Sequence, residues 1–105
     1  KGTFIGIHAG RVIEIKKEVI VGRCGNRNAN LLFSPNNKYI SREHAKIRKH
    51  TLGHWVIEDL KSSNGTYIKR KREGHTFEIK IMSGEFPLEK GDLIYFGTFV
   101  HVEVI

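Results

Sequence analysis

Thr76-Phe77-Glu78-Ile79-Lys80-Ile81, which follows His75, and, near the end of the chain, Val100-His101-Val102-Glu103-Val104 alternate apolar and polar residues without a break. A strand points successive side chains to opposite faces. Phe77, Ile79 and Ile81 therefore share one face and Glu78 and Lys80 the other, the pattern of a sheet with one buried and one wet side. No segment reads as a helix.

Outward from these two stretches, short runs rich in β-branched and aromatic residues recur at close intervals. They are Thr3 to His8, Arg11 to Lys16, Val19 to Gly22, Leu31 to Phe33, Ala45 to Lys49, His54 to Glu58, Thr66 to Ile68, His75 to Met82, Asp92 to Phe96 and Val100 to Val104. Most of the 11 glycines fall between them, so the pattern predicts an all-β fold. Two packed antiparallel sheets bury every apolar face, and a partly open barrel is the rival architecture.

The 105 residues suffice for one core, and 1–105 reads as a single domain excised from a longer protein. With 39% apolar and 28% charged residues, the composition excludes a disordered chain. No apolar run approaches the roughly 20 residues of a membrane span, and the first residues lack the layout of a signal peptide. The single cysteine, Cys24, cannot form an intrachain disulfide, which points to an intracellular protein, nuclear or cytoplasmic. A monomer is expected.

Eighteen Lys and Arg against 11 Asp and Glu leave a net charge of +7. That field attracts polyanions, phosphorylated partners or acidic peptides without choosing among them. Six histidines include His50 and His54, but without Cys-x-x-Cys no zinc framework is expected, nor any cofactor. Cys24 follows Arg23 and reads as a small loop residue, with a lowered thiol pKa only if it faces that cation.

Four patches fall in predicted loops or at strand ends: Gly22-Arg23, Ser41-Arg42-Glu43-His44, Ser62-Ser63-Asn64-Gly65-Thr66, and Gly91-Asp92 with Phe96-Gly97 just after. Each alone is common. A Ser-x-x-His also suits a helix cap, and Asn-Gly suits any tight turn. In this order, led into by Trp55-Val56-Ile57-Glu58-Asp59-Leu60, they resemble the forkhead-associated (FHA) domain family from Val19 to the last strand.

The resemblance implies a β-sandwich of about eleven strands whose loops at one end grip an extended phosphothreonine peptide, with no catalysis. Arg23 would supply the planar, permanently charged fork that a phosphate prefers to an ammonium. The resemblance gives Ser41 a hydroxyl bond to phosphate and Asn64 the pairing with the peptide main chain. Arg42, which follows Ser41, is a second contact, with Ser63 beside Asn64 in the same site and Lys61 a weaker candidate. Gly22, His44, Gly65 and Thr66 would structure the loops, His44 by bracing its loop from behind. Gly91-Asp92 and Phe96-Gly97 are assigned to the fold. A Ser41-His44 hydrolase would need a buried acid, for which Asp59 and Asp92 are available, and a nucleophile turn, which is missing.

Two departures from the family's pattern stand out. Lys69 or Arg70 occupies the place of a frequent Asn, and the stretch from Asn64 to Gly91 is long, with the surplus between Lys69 and Leu88 expected to form an extended hairpin. Lys69-Arg70-Lys71-Arg72 reads as a solvated turn. About 10 Å or more from the binding end at 3.3 Å per residue, the run is also a candidate second contact for nucleic acid or an acidic partner. Two alternatives therefore stand beside the phosphopeptide reading: a basic β-domain that binds nucleic acid, although no exposed stacking series is evident, and a phosphate-independent interaction domain.

Overall fold

The computed structural model describes residues 3–23, 31–33, 38–97 and 100–105. Among them are eleven strands and no helix: β1 (Phe4–His8), β2 (Arg11–Ile15), β3 (Glu18–Arg23), β4 (Leu31–Phe33), β5 (Ala45–Lys49), β6 (Trp55–Asp59), β7 (Thr66–Arg72), β8 (His75–Lys80), β9 (Glu85–Pro87), β10 (Leu93–Phe96) and β11 (Val100–Val104). They form a six-stranded sheet in the order β2-β1-β11-β10-β7-β8 and a five-stranded sheet in the order β4-β3-β5-β6-β9. The sandwich, not the barrel, is the architecture. The sheets are antiparallel as expected, with one parallel pair among the described strands, β3 with β4 at the edge.

Alternation along each strand decides which side chains fill the space between the sheets. Val100, Val102 and Val104 of β11 are buried while His101 and Glu103 are exposed. Ile94 and Phe96 of β10, Ile68 of β7, Val19 and Val21 of β3, and Ile47 and Ile57 of β5 and β6 complete the centre. Phe4 packs on Trp55 with ring centroids 5.7 Å apart, which closes the core at one end.

The extra length after Asn64 is a hairpin, as expected, together with a short strand. β7 and β8 pair from Tyr67↔Lys80 to Arg72↔His75 and turn through Glu73-Gly74, both with positive φ, a two-residue turn whose twist matches the strands. The basic run is therefore strand and not the solvated turn expected of it. Glu85–Pro87 was not expected to be a strand. It is an edge pairing to β6, where a proline costs no ladder bond. Phe77 also departs from its expected place: β8 is the edge of its sheet and overhangs the core, so Phe77 is 51% exposed while Ile81 is buried.

Candidate functional site

Three segments separated in sequence meet where β3 ends and β7 begins. β3 runs one residue beyond the expected end at Gly22, so Arg23 also lies in the strand. Gly22 is buried opposite Leu32, and Arg23 is half-buried, its backbone N–H donating to the Ser41 carbonyl at 3.2 Å. Among the described residues Arg23 forms no ion pair.

His44 organises the second segment. It is fully buried, with its ring perpendicular to that of Phe96 at 5.8 Å, and its backbone N–H donates to the Val21 carbonyl at 2.7 Å. The Ser41 backbone N–H donates to Nδ1 at 3.0 Å, so the proton must sit on Nε2, which donates to the Gly65 carbonyl at 2.7 Å. Burial lowers the pKa of this imidazole, against smaller opposing effects of the Gly65 carbonyl and of Asp59. The neutral ring thus ties the Ser41 loop to the Asn64 loop from behind.

The third segment is held by Asp59, at the end of β6. Its carboxylate accepts from Ser62 N–H at 3.1 Å, from Ser62 Oγ at 2.6 Å and from Thr66 Oγ1 at 2.7 Å. Ser62 Oγ in turn accepts from Gly65 N–H. Lys61 takes a positive φ of 58° where the chain reverses. Gly65 has a φ of 87°, and a Cβ there would lie 3.0–3.2 Å from the Tyr67 ring, so only glycine fits this turn.

The segments then lock to one another. Ser63 N–H donates to Ser41 Oγ at 3.0 Å, and Asn64 Nδ2 donates to the Tyr39 carbonyl at 3.1 Å. Gly97 N–H donates to the Gly65 carbonyl at 2.9 Å, and a Cβ on Gly97 would sit 2.7 Å from the Tyr39 carbonyl oxygen. Arg42, Ser63 and Asn64 are exposed at this end, and Ser41 is half-buried. A groove of about 700 Å³ opens beside them, lined by Ser63, Asn64, Tyr67, Lys80 and Met82 among others.

This arrangement brings Ser41, Ser63 and Asn64 together with the end of β3 that carries Arg23. His44, Gly65 and Thr66 take part in the bonds that join these loops, His44 to the Gly65 carbonyl and Thr66 to Asp59. Tyr39, Asp59, Ser62 and Gly97 also belong to the framework and were not expected there. Asp59 and Ser62 lay in quoted motifs, whereas Tyr39 acts through a backbone carbonyl that no side-chain pattern announces. Cys24 lies outside the described residues.

A hydrolase geometry is not what these contacts make. Both imidazole nitrogens are committed to backbone groups, Ser41 Oγ is bonded to Ser63, and Asp59 faces Ser62 and Thr66. Asp92 belongs to the other end of β7. There it accepts from Arg70 Nε at 2.9 Å and Nη2 at 2.8 Å and from Glu89 N–H at 2.8 Å. Arg72 pairs with Glu89, so two of the four cations in the basic run are balanced within the domain. His50 and His54 stack at 4.6 Å, with His50 Nδ1 accepting from Leu52 N–H, and no cluster of three metal-ligating side chains occurs among the described residues.

The fold and this end of it define a class: small β-sandwiches that present a loop-built polar site and keep their framework residues bonded to backbone. The FHA domain model matches residues 19–97, and the chain belongs to that family. Among curated proteins it is similar to the E3 ubiquitin-protein ligase RNF8 of Bos taurus, 32% identical over 87 residues, which is 83% of this chain and 16% of the ligase. A solution structure of an FHA domain from an Arabidopsis thaliana hypothetical protein superposes with a TM-score of 0.77 at 24% identity, covering 99% of this chain and 85% of that one. The N-terminal FHA domain of S. cerevisiae Rad53p, solved with a phosphothreonine peptide, gives 0.67 at 18% identity, covering 98% and 94%. The chain thus spans about a sixth of that curated relative and nearly all of these two structures.

Proposed function

We propose that the domain binds phosphothreonine in an extended peptide and has no catalytic role of its own. The observation that carries this reading is the bond from Ser63 N–H to Ser41 Oγ. With an acceptor site of the hydroxyl already used, its proton is left to give to an incoming oxygen, beside the strand end bearing Arg23. Arg23 supplies paired charge-assisted bonds to the phosphate, Arg42 adds a second cation, and Ser63 lies beside them. Asn64, whose amide nitrogen holds Tyr39, keeps its carbonyl oxygen for a peptide N–H. The Rad53p domain, solved with such a peptide on the same fold, supports the assignment.

In the parent protein the domain acts as a monomeric, intracellular adaptor that brings a kinase-modified partner to activities encoded elsewhere in the chain. That such relatives include a ubiquitin ligase makes modification of the captured partner the leading whole-protein reading. The test is a calorimetric titration of one peptide sequence with phosphothreonine, phosphoserine or threonine. Phosphothreonine should bind best and unmodified threonine not at all. Equal binding of all three would leave a phosphate-independent interaction domain as the answer.

A further inference from the structure

Strand alternation sends the basic run two ways. Arg70 and Arg72 turn to Asp92 and Glu89, whereas Lys69 and Lys71 occupy the alternate positions, on the outer face of the six-stranded sheet. On that face one register row reads Lys80, Tyr67, Tyr95, His101 across β8, β7, β10 and β11. Their neighbours along the strands, Thr66, Ile68, Ile94, Phe96, Val100 and Val102, are buried in the core, which places the row outside.

Two of the three rings in this row are in contact. Tyr95 and His101 lie 4.9 Å apart at 30°, close to the spacing of neighbouring strands. Lys69 Nζ sits 4.6 Å from the Tyr95 ring centroid and Lys80 Nζ 5.9 Å from that of Tyr67. A π-face reached by a lysine is a face that a nucleobase can take, and the displaced ammonium then has a phosphate to meet. Glu78 and Glu103 share the next row with Lys69 and Leu93, so acids interrupt the strip and its cations are Lys80 in the ring row, Lys69 in the next and Lys71 beyond.

We propose that this face is a stacking platform for single-stranded nucleic acid, adjoining the loop site, whose groove Tyr67 and Lys80 also line. A duplex hides its base faces and would not engage the rings. An acidic peptide would use the lysines alone.

The experiment is fluorescence anisotropy with labelled single strands of about 12 nucleotides, the matching duplex, and poly-glutamate as competitor. Tyr95→Leu and Tyr67→Leu should each weaken single-strand binding by roughly tenfold while thermal melting shows the domain folded, and Tyr95→Phe should bind normally. Replacing Lys69 and Lys71 together by Ala should flatten the log-log salt slope by about 1.4. Absence of single-strand binding, equal binding of duplex, indifference to both Leu variants, or equal competition by poly-glutamate would each overturn the proposal.

Discussion

At the start of β7, Thr66 gives its hydroxyl proton to Asp59; at the far end of the same strand, Arg70 gives two guanidinium protons to Asp92. Both ends are polar networks with a buried or half-buried carboxylate at their centre. The far end is closed: Arg70 also donates to the Pro87 carbonyl, Arg72 pairs with Glu89, and the Asp92 side chain is 1% exposed. At the loop end the framework is equally bonded, yet among the described residues half-buried Ser41 keeps a hydroxyl proton and exposed Asn64 a carbonyl without a partner. A run of four cations is thus in part a structural brace, while a surface of modest charge is left ready for a ligand. Density of charge is a poorer guide to a site than the bonding capacity that remains after folding.

Changes at the two ends should therefore separate stability from binding. The largest effect belongs to the far end. Asp92→Ala leaves the largely buried Arg70 guanidinium, packed on Phe86, with only the looser Glu89 carboxylate at 3.4 Å, and should cost about 3 kcal/mol in urea denaturation while the folded fraction keeps its peptide preference. Loss of peptide selectivity without loss of stability would break the contrast. Next is Arg23→Ala, which should weaken phosphothreonine-peptide binding at least about tenfold, with a denaturation midpoint unchanged; Arg23→Lys should recover only part of it.

His44 sharpens the comparison through pH. The unfolded chain protonates this imidazole near 6.5, whereas burial makes the folded chain do so only at lower pH. Below about pH 6.5 the unfolded state binds more protons, so stability should decline as pH falls through the folded pKa, by at most about 1.4 kcal/mol per pH unit, and be fully present above 6.5. A second proton would set an N–H on Nδ1 against the Ser41 N–H, so the loss should centre on the loop end. Amide exchange of Ser41 and Gly65 against pH reads this, and a flat profile would show that the ring does not hold the loops. The smallest effect is at Arg72, 56% exposed in its pair with Glu89, where Arg72→Ala should change stability by less than about 1 kcal/mol.

Local chemistry made most of the fold legible. Val100 to Val104 alternates because one face meets the core, and its strand lies where the pattern puts it. Phe77 and the Glu85–Pro87 strand were misjudged for a common reason: each depends on what lies across the sheet. Phe77 faces the core only if its strand has a neighbour on both sides, and a three-residue edge strand ending in proline has no pattern of its own. The basic run read as a turn because its acids, Glu89 and Asp92, stand about twenty residues away in sequence and meet it only through the β7–β10 register. Likewise the row Tyr67, Tyr95 and His101 comes from three strands and has no linear signature, which is why the sequence shows no stacking series. In the candidate site, Arg23, Ser41, His44 and Asn64 were recognisable because a motif order carries them. The Tyr39 carbonyl and the close fit of Gly97 were not, being backbone contacts between remote loops.

The most direct measurement is a two-dimensional amide NMR titration with a phosphothreonine peptide, followed residue by residue. Shifts concentrated at Arg23, Ser41, Arg42, Ser63, Asn64 and Gly65, with Arg70, Glu89 and Asp92 still, are the predicted outcome. Shifts centred on Arg70 to Arg72, or the same map with unphosphorylated threonine, would contradict it.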